Sequence, residues 1–289
     1  METGEKQFKV VLLRTFKAFI DFCEEYELTY YAAYGTLLGA VRHDGIIPWD
    51  DDIDVFMPRA DYMRFLSLRG QTGDNYEIID IDTKGYFLDF AKFSDKKTSL
   101  MEKPGEPVIG IYIDIFPLDN YDDEKCRALV KYNQLYYYAW MIYGHSQRRY
   151  SWAQVKYFLK CKQYYYLAVM VFDICFAKCL AWPARQIINV FVSKLKSVPS
   201  TDKLWKYSIL RSKSFVRHGS WFGKGKKHRF EHLQVTVPDN YDAILMQDYG
   251  DYMTPPPKEQ QESIHYHFFV DYNRRFTERE VFEHLIKSL

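Results

Sequence analysis

The chain has 289 residues, which at about 150 residues per domain allows one large domain or two small ones. Hydrophobic residues make up 47% and charged residues 27%, a composition that excludes a wholly disordered chain. Lys+Arg is 39 against 38 for Asp+Glu, a formal charge of +1, so no global basic field points to nucleic acid. Aromatic residues reach 18%, a richness that suits stacking surfaces or a membrane interface. Five cysteines without a CxxC pair, Cys23, Cys126, Cys161, Cys175 and Cys179, argue against a disulfide framework and for a reducing compartment. The first ten residues mix charges and hold no apolar signal core, so the expected location is cytoplasmic.

Taken in chain order, Phe8, Leu12, Phe16, Phe19, Cys23 and Tyr26 recur at helical spacing and predict an amphipathic helix. Leu28–Tyr34 reads as a strand broken at Gly35-Thr36, with a short helix over Leu37–His43 and a loop through Gly45 and Pro48. Strands are expected at Ile53–Met57, Tyr76–Ile81, Tyr86–Phe93 and Ile109–Phe116, and a helix at Ala60–Leu68, giving a mixed α/β core with short connections. After Asp122 nearly everything to Lys196 reads as helix, crowded with aromatics and broken near Gly144 and Ser151. A basic loop at Gly223–Arg229, a helix at Tyr241–Tyr249, Pro255–Pro257 and a last helix over Thr277–Ser288 follow. The expected organisation is a catalytic core at 1–121, a helical aromatic-rich region at 122–222 and a C-terminal segment at 223–289 that packs back on the core.

The chemistry concentrates around Asp50, Asp51, Asp52 and Asp54, at the start of a strand. Alternation along a strand puts Asp52 and Asp54 on one face and Asp51 on the other. Carboxylates this close repel and raise each other's pKa, and a hard divalent cation bound through oxygen relieves them. Asp114, between Ile113 and Ile115, places a further acid where a strand interior is normally apolar. Charge clusters are usually solvated faces. Here, however, the acids follow a Gly35-Thr36 turn that opens a helix, whose backbone N–H groups suit a phosphate. Together these parts suit phosphoryl or nucleotidyl transfer.

The segment Tyr34–Met57, YGTLLGAVRHDGIIPWDDDIDVFM, resembles the signature of LicD-type phosphotransferases, which transfer phosphocholine and are related to the fukutin-related ribitol-phosphate transferases. Pro58-Arg59, Asp61-Tyr62, AKFSDKKT with Lys92, GIYIDIFPLD at Gly110–Asp119, FEHLQVTVP and YGDYMTPPP continue the likeness. The resemblance implies an α/β (mixed α+β) nucleotidyltransferase-like core with an aromatic-rich helical insertion. It also implies Mg²⁺, or Mn²⁺ in its place, on Asp52 and Asp54, with Asp114 a third ligand or the base for the acceptor. Asp50 and Asp51 are further candidates for the metal shell, Glu231 lies in the matching FEHLQVTVP segment, and His265 and His267 near the C-terminus could reach the site, where the resembling family often has histidine. The implied donor is a CDP-alcohol, CDP-choline first, and the implied acceptor a hydroxyl of a glycan or lipid-linked glycan, with CMP released. A nucleotidyltransferase that releases pyrophosphate, or a non-catalytic glycan- or membrane-binding relative, are the alternatives.

Gly35, Thr36, Arg59 and Lys92 are candidates for the donor phosphates. Tyr34, Trp49 and Tyr62 are candidate faces for a choline ammonium. His228 and His232 lack the HExxH pattern of zinc. The stretch Tyr164–Trp182, with Lys156, Lys160, Lys162, Arg185, Lys194 and Lys196 around it, is too short in its apolar run to span a bilayer. It reads as an inner-leaflet headgroup contact, or equally as a buried helix or a dimer contact.

Overall fold

A computed structural model describes residues 2–205, 216–262 and 267–289. The predicted first helix forms as α1 (Glu2–Glu25), with Phe8, Leu12, Phe16, Phe19 and Cys23 all buried. Phe19 meets Tyr30, Phe65 and Phe93 edge-on at 5.3–5.9 Å, the arrangement aromatic quadrupoles prefer.

Beneath α1 runs a curled mixed sheet, seven-stranded among the described residues. Its strands are β1 (Tyr31–Ala32), β2 (Asp54–Pro58), β3 (Tyr76–Ile79), β4 (Ala91–Asp95), β6 (Tyr112–Asn120), β7 (Lys203–Trp205) and β8 (Val216–His218). The order is β1-β2-β6-β4-β3, with β7 on the far end of β6 and β8 on β7. Only the β2–β6 pairing is parallel among these, and it sets Asp54 opposite Asp114. On β4, Lys92 is the register partner of Asp114 from the other side. Helices α2 (Tyr34–His43) and α3 (Arg59–Ser67) flank β2.

Several boundaries differ from the sequence reading. The expected strand Leu28–Tyr34 shortens to two residues because α2 already begins at Tyr34, which puts Gly35 and Thr36 in its first turn. The strand expected at Tyr86–Phe93 starts only at Ala91, and the one expected at Ile109–Phe116 is shifted to 112–120. A short strand β5 (Ser99–Met101) pairs with β11 (Phe269–Asp271) near the C-terminus, a contact no local pattern announces. The basic loop is a correction of another kind: Lys226–Phe230 is a strand, β9, hairpinned to β10 (Leu233–Val237). Its cations are used locally, since Lys227 reaches Glu24 at 3.0 Å and Lys226 donates to the Asp239 carbonyl at 2.7 Å.

The helical stretch comprises α4 (Arg127–Lys131), α5 (Asn133–Gln147), α6 (Trp152–Lys160), α7 (Tyr164–Phe172) and α8 (Ala181–Lys196). Gly144 lies inside α5, so the break falls at 148–151, where Ser151 caps α6 with a capping box. A π-helical turn at Asp173–Ala177 continues α7. Tyr136, Ile188 and Leu195 centre a second core between α5 and α8. Two more helices, α9 (Tyr241–Tyr249) and α10 (Glu278–Ser288), follow the hairpin. Phe230, Val235, Ile244 and Leu245 share the core of the first 118 residues, whereas Phe276 and Phe282 pack on Met101, Phe158 and Met170. All five cysteines are free.

Candidate functional site

The acidic cluster forms at the open end of the β2–β6 pair. The Asp54 backbone N–H donates to the Thr36 hydroxyl at 2.8 Å, and the Asp114 N–H donates to the Ile53 carbonyl at 2.9 Å. Those two bonds fix where both carboxylates leave the sheet. Burial, together with the charges of Asp52, Asp114 and Asp50 in that order, pushes the Asp54 pKa well above the ordinary carboxylate value, while the Lys92 ammonium opposes the rise. Four acids therefore act on one another, as like charges in a confined space must.

Lys92 answers part of that charge. Its Nζ lies 2.7 Å from Asp114 Oδ1 and 3.7 Å from Glu102, 3.2 Å from the centre of the Tyr112 ring and 5.6 Å from that of Phe90. An ammonium held between carboxylates and ring faces is strongly placed. The Tyr112 hydroxyl in turn donates to Glu102. Beside Lys92 a small recess is lined by Tyr86, Phe87, Glu102 and Glu106, and burial raises the Glu106 pKa above its usual value.

The other candidates separate. Thr36 is buried and its hydroxyl serves the Asp54 N–H, which makes it a positioning residue for the acid rather than an open phosphate contact. A Cβ on Gly35 would collide with the Asp50 carboxylate, so the glycine is needed for space and not for backbone freedom. Gly35→Ala therefore displaces Asp50, and we expect a loss of turnover on the order of 10²-fold from misplaced charge, measured as kcat/KM with thermal stability as control. The Arg59 guanidinium forms a two-pronged, largely buried pair with Asp119, at 2.7 Å on each prong, which ties α3 to β6.

Among the ring candidates, Tyr62 is buried beneath the Arg59 guanidinium at 5.2 Å. Tyr34, with a left-handed φ of 44°, stands edge-on to Phe56 and Phe116. Trp49 meets His43 edge-on with Arg42 6.0 Å from its ring. Asp51 Oδ2 lies 3.8 Å from His267 Nε2, and the His267 ring is itself stacked on Phe8. Glu231 accepts from the Ile46 N–H at 3.2 Å and braces the loop after α2. His265 lies outside the described residues.

Sequence reasoning missed Tyr112, Glu102 and Tyr249. Alternation along IYIDIF puts Tyr112 on the same face as Asp114, a usable signal, whereas Glu102 follows a strand no pattern marked. Burial first, then the charges of Asp248, Asp54 and Asp50, raise the Tyr249 pKa.

An oxygen-only donor set of this kind would suit a hard cation. Among the described residues no three acidic, histidine or cysteine side chains already converge as a metal cluster. The acids would fit such an ion in kind, because the charges of Asp52, Asp114 and Asp50 all act on Asp54 against that of Lys92.

Comparison with known proteins bears on this geometry. A family described as LicD/FKTN/FKRP, nucleotidyltransferase domain, matches residues 27–157, the span holding Asp50 to Asp54, Lys92 and Asp114. The chain is 28% identical over 267 residues to a protein of Haemophilus influenzae named "Lipopolysaccharide cholinephosphotransferase LicD", covering 90% of this chain and 95% of that one. An uncharacterized protein of Rickettsia typhi is 32% identical over 106 residues, or 36% of this chain and 33% of the relative. The span that binds β2 to β6 is thus the span over which the chain is similar to the LicD/FKTN/FKRP nucleotidyltransferase domain, and the likeness to the Haemophilus protein runs along most of both chains.

Proposed function

We propose that the chain is a phosphoalcohol transferase that moves phosphocholine from a CDP-linked donor to a hydroxyl of a cell-surface glycan precursor. The observation that carries this reading is the Asp54–Asp114 register across the parallel β2–β6 pair, with Asp52 and Asp50 acting on Asp54 and Lys92 on Asp114. A Haemophilus relative named as a cholinephosphotransferase supports the choice of group. In the balanced step, an acceptor oxygen forms a bond to the phosphorus that bears the choline, and the bond from that phosphorus to CMP breaks. The acceptor's proton passes to a carboxylate of the cluster, for which we assign Asp114. Asp52 and Asp54 would hold Mg²⁺, which supplies charge neutralisation for the phosphates. Lys92, fixed by Asp114 and Tyr112, is aimed by the same strand register and suits a donor phosphate oxygen. The recess of Tyr86, Phe87, Glu102 and Glu106 offers rings and carboxylates to a quaternary ammonium.

Calorimetric titration with CDP-choline, CDP-glycerol, CDP-ribitol and ATP, each with and without Mg²⁺, tests the proposal without knowledge of the acceptor. Mg²⁺-dependent binding of CDP-choline above the other three is the expected result. Binding of ATP alone, with pyrophosphate as product, would replace this reading by nucleotidyl transfer.

A further inference from the structure

The helical stretch presents apolar surface that the fold leaves uncovered. Helix α7, YYYLAVMVF, is apolar throughout, yet Met170 is its one fully buried residue. A helix hydrophobic on all sides needs a cover on all sides. Tyr165 is 74% exposed and Val171 60% on this helix, Phe176 is 60% exposed on the π-turn, and Trp182 is 73% exposed at the start of α8. Tyr164–Ala177 and Ala181–Lys196 together are long and apolar enough for a membrane segment, but they bend by 77° at their junction, and no single helix among the described residues passes that test.

Charge selects the occupant. From Ser151 to Ser200 the chain carries seven lysines and arginines and one acid, Asp173, in a protein whose overall charge is +1. That acid is wholly buried, held by His145 at 2.7 Å, by the Tyr150 hydroxyl and by Arg148 at 3.5 Å. The exposed charge of this segment is therefore entirely positive. A second copy docking face to face would set cations against cations, because a two-fold interface pairs a patch with itself. A surface with aromatic residues and lysines around an apolar strip matches anionic lipid headgroups. Length agrees: Tyr164–Ala177 spans roughly 21 Å at 1.5 Å per residue, short of the roughly 30 Å hydrocarbon core.

We propose that α7, the π-turn and α8 form a docking surface for an anionic bilayer, lying in the headgroup plane without crossing it. The buried Asp173 network is its anchor, fixing the bent pair to α5 and leaving the outer faces for lipid. This does not rest on the transfer reaction, since neither the acids nor Lys92 take part.

Co-sedimentation of the full chain with vesicles of phosphatidylcholine alone, or mixed with phosphatidylglycerol, tests it. The expected result is at least about tenfold tighter binding to the anionic vesicles, lost in high salt. Phe176→Ser with Trp182→Ser should weaken that binding by at least about tenfold while donor binding is unchanged. Lys162→Glu with Lys178→Glu, both exposed positions, should weaken anionic binding alone and serves should the first pair fold poorly. No vesicle binding by the wild type, or equal binding by folded variants of both pairs, overturns the proposal. So does a dimer in solution that the Phe176/Trp182 variant dissolves, which would assign the surface to a second copy.

Discussion

Asp54→Asn is expected to abolish transfer, with a fall of at least about 10³-fold in kcat/KM, while the melting temperature stays level or rises. The two halves of this result have one cause. Burial and the charges of Asp52, Asp114 and Asp50 make the ionised Asp54 unfavourable in the folded protein, so a neutral amide of the same size removes repulsion. The same substitution removes the acid that those neighbours would share with a cation. Acids kept at a cost to stability are characteristic of sites where chemistry demands them. Activity within tenfold of wild type would remove Asp54 from the site. A melting temperature lowered by many degrees would show the carboxylate to be structural. Scanning calorimetry alongside a CMP-release assay reads both quantities on one preparation.

The largest expected effect on stability lies elsewhere, at Arg217 on β8. Its side chain is completely buried, donates through one terminal nitrogen to both oxygens of Asp248 at 2.7 and 2.6 Å, and lies 5.4 Å from the Phe56 ring. Breaking a buried ion pair by removing one partner costs about 3–5 kcal/mol. Asp248→Ala should therefore lower the melting temperature by on the order of 10 °C. Replacing both residues, Arg217→Met with Asp248→Leu, should recover most of that loss, because no charge is then stranded. Asp21→Ala, which breaks only the exposed Lys17–Asp21 pair at 2.6 Å, should leave the melting temperature unchanged, since solvent already screens both groups. If Asp248→Ala melts like Asp21→Ala, the buried pair is not formed in solution.

What could be read from sequence divides along the range of the interaction. Helical spacing gave α1 through Phe8, Leu12 and Phe16, and the Tyr241–Tyr249 helix appears with the boundaries expected, because both follow from neighbours within a turn or two. Asp54 and the lone Asp114 were visible as acids in apolar company, and the fold sets them opposite each other, whereas Asp52, expected on the same strand face as Asp54, lies in the loop before β2. Arg59 illustrates what was hidden: a basic residue beside the acidic signature suits phosphate equally well, and its partner Asp119 lies 60 residues on in another strand. Tyr62 was drawn into the ring candidates by proximity in sequence, although the helix that carries it turns it inward. Lys226–Phe230 looked like a solvated loop because an edge hairpin with cations on its outer face has the composition of one.

The chain leaves β6 at Asn120 and returns on β7, and these two strands are antiparallel neighbours with Asn120 opposite Leu204 and Asp119 opposite Trp205. All the helices from α4 to α8 thus hang between two points already joined by backbone hydrogen bonds. A loop whose ends are pinned this way gains or loses length cheaply, about 0.6 kcal/mol for each doubling. Related chains can lengthen, trim or exchange this excursion, and with it whatever the excursion touches, while the strands that align Asp54 with Asp114 keep their register.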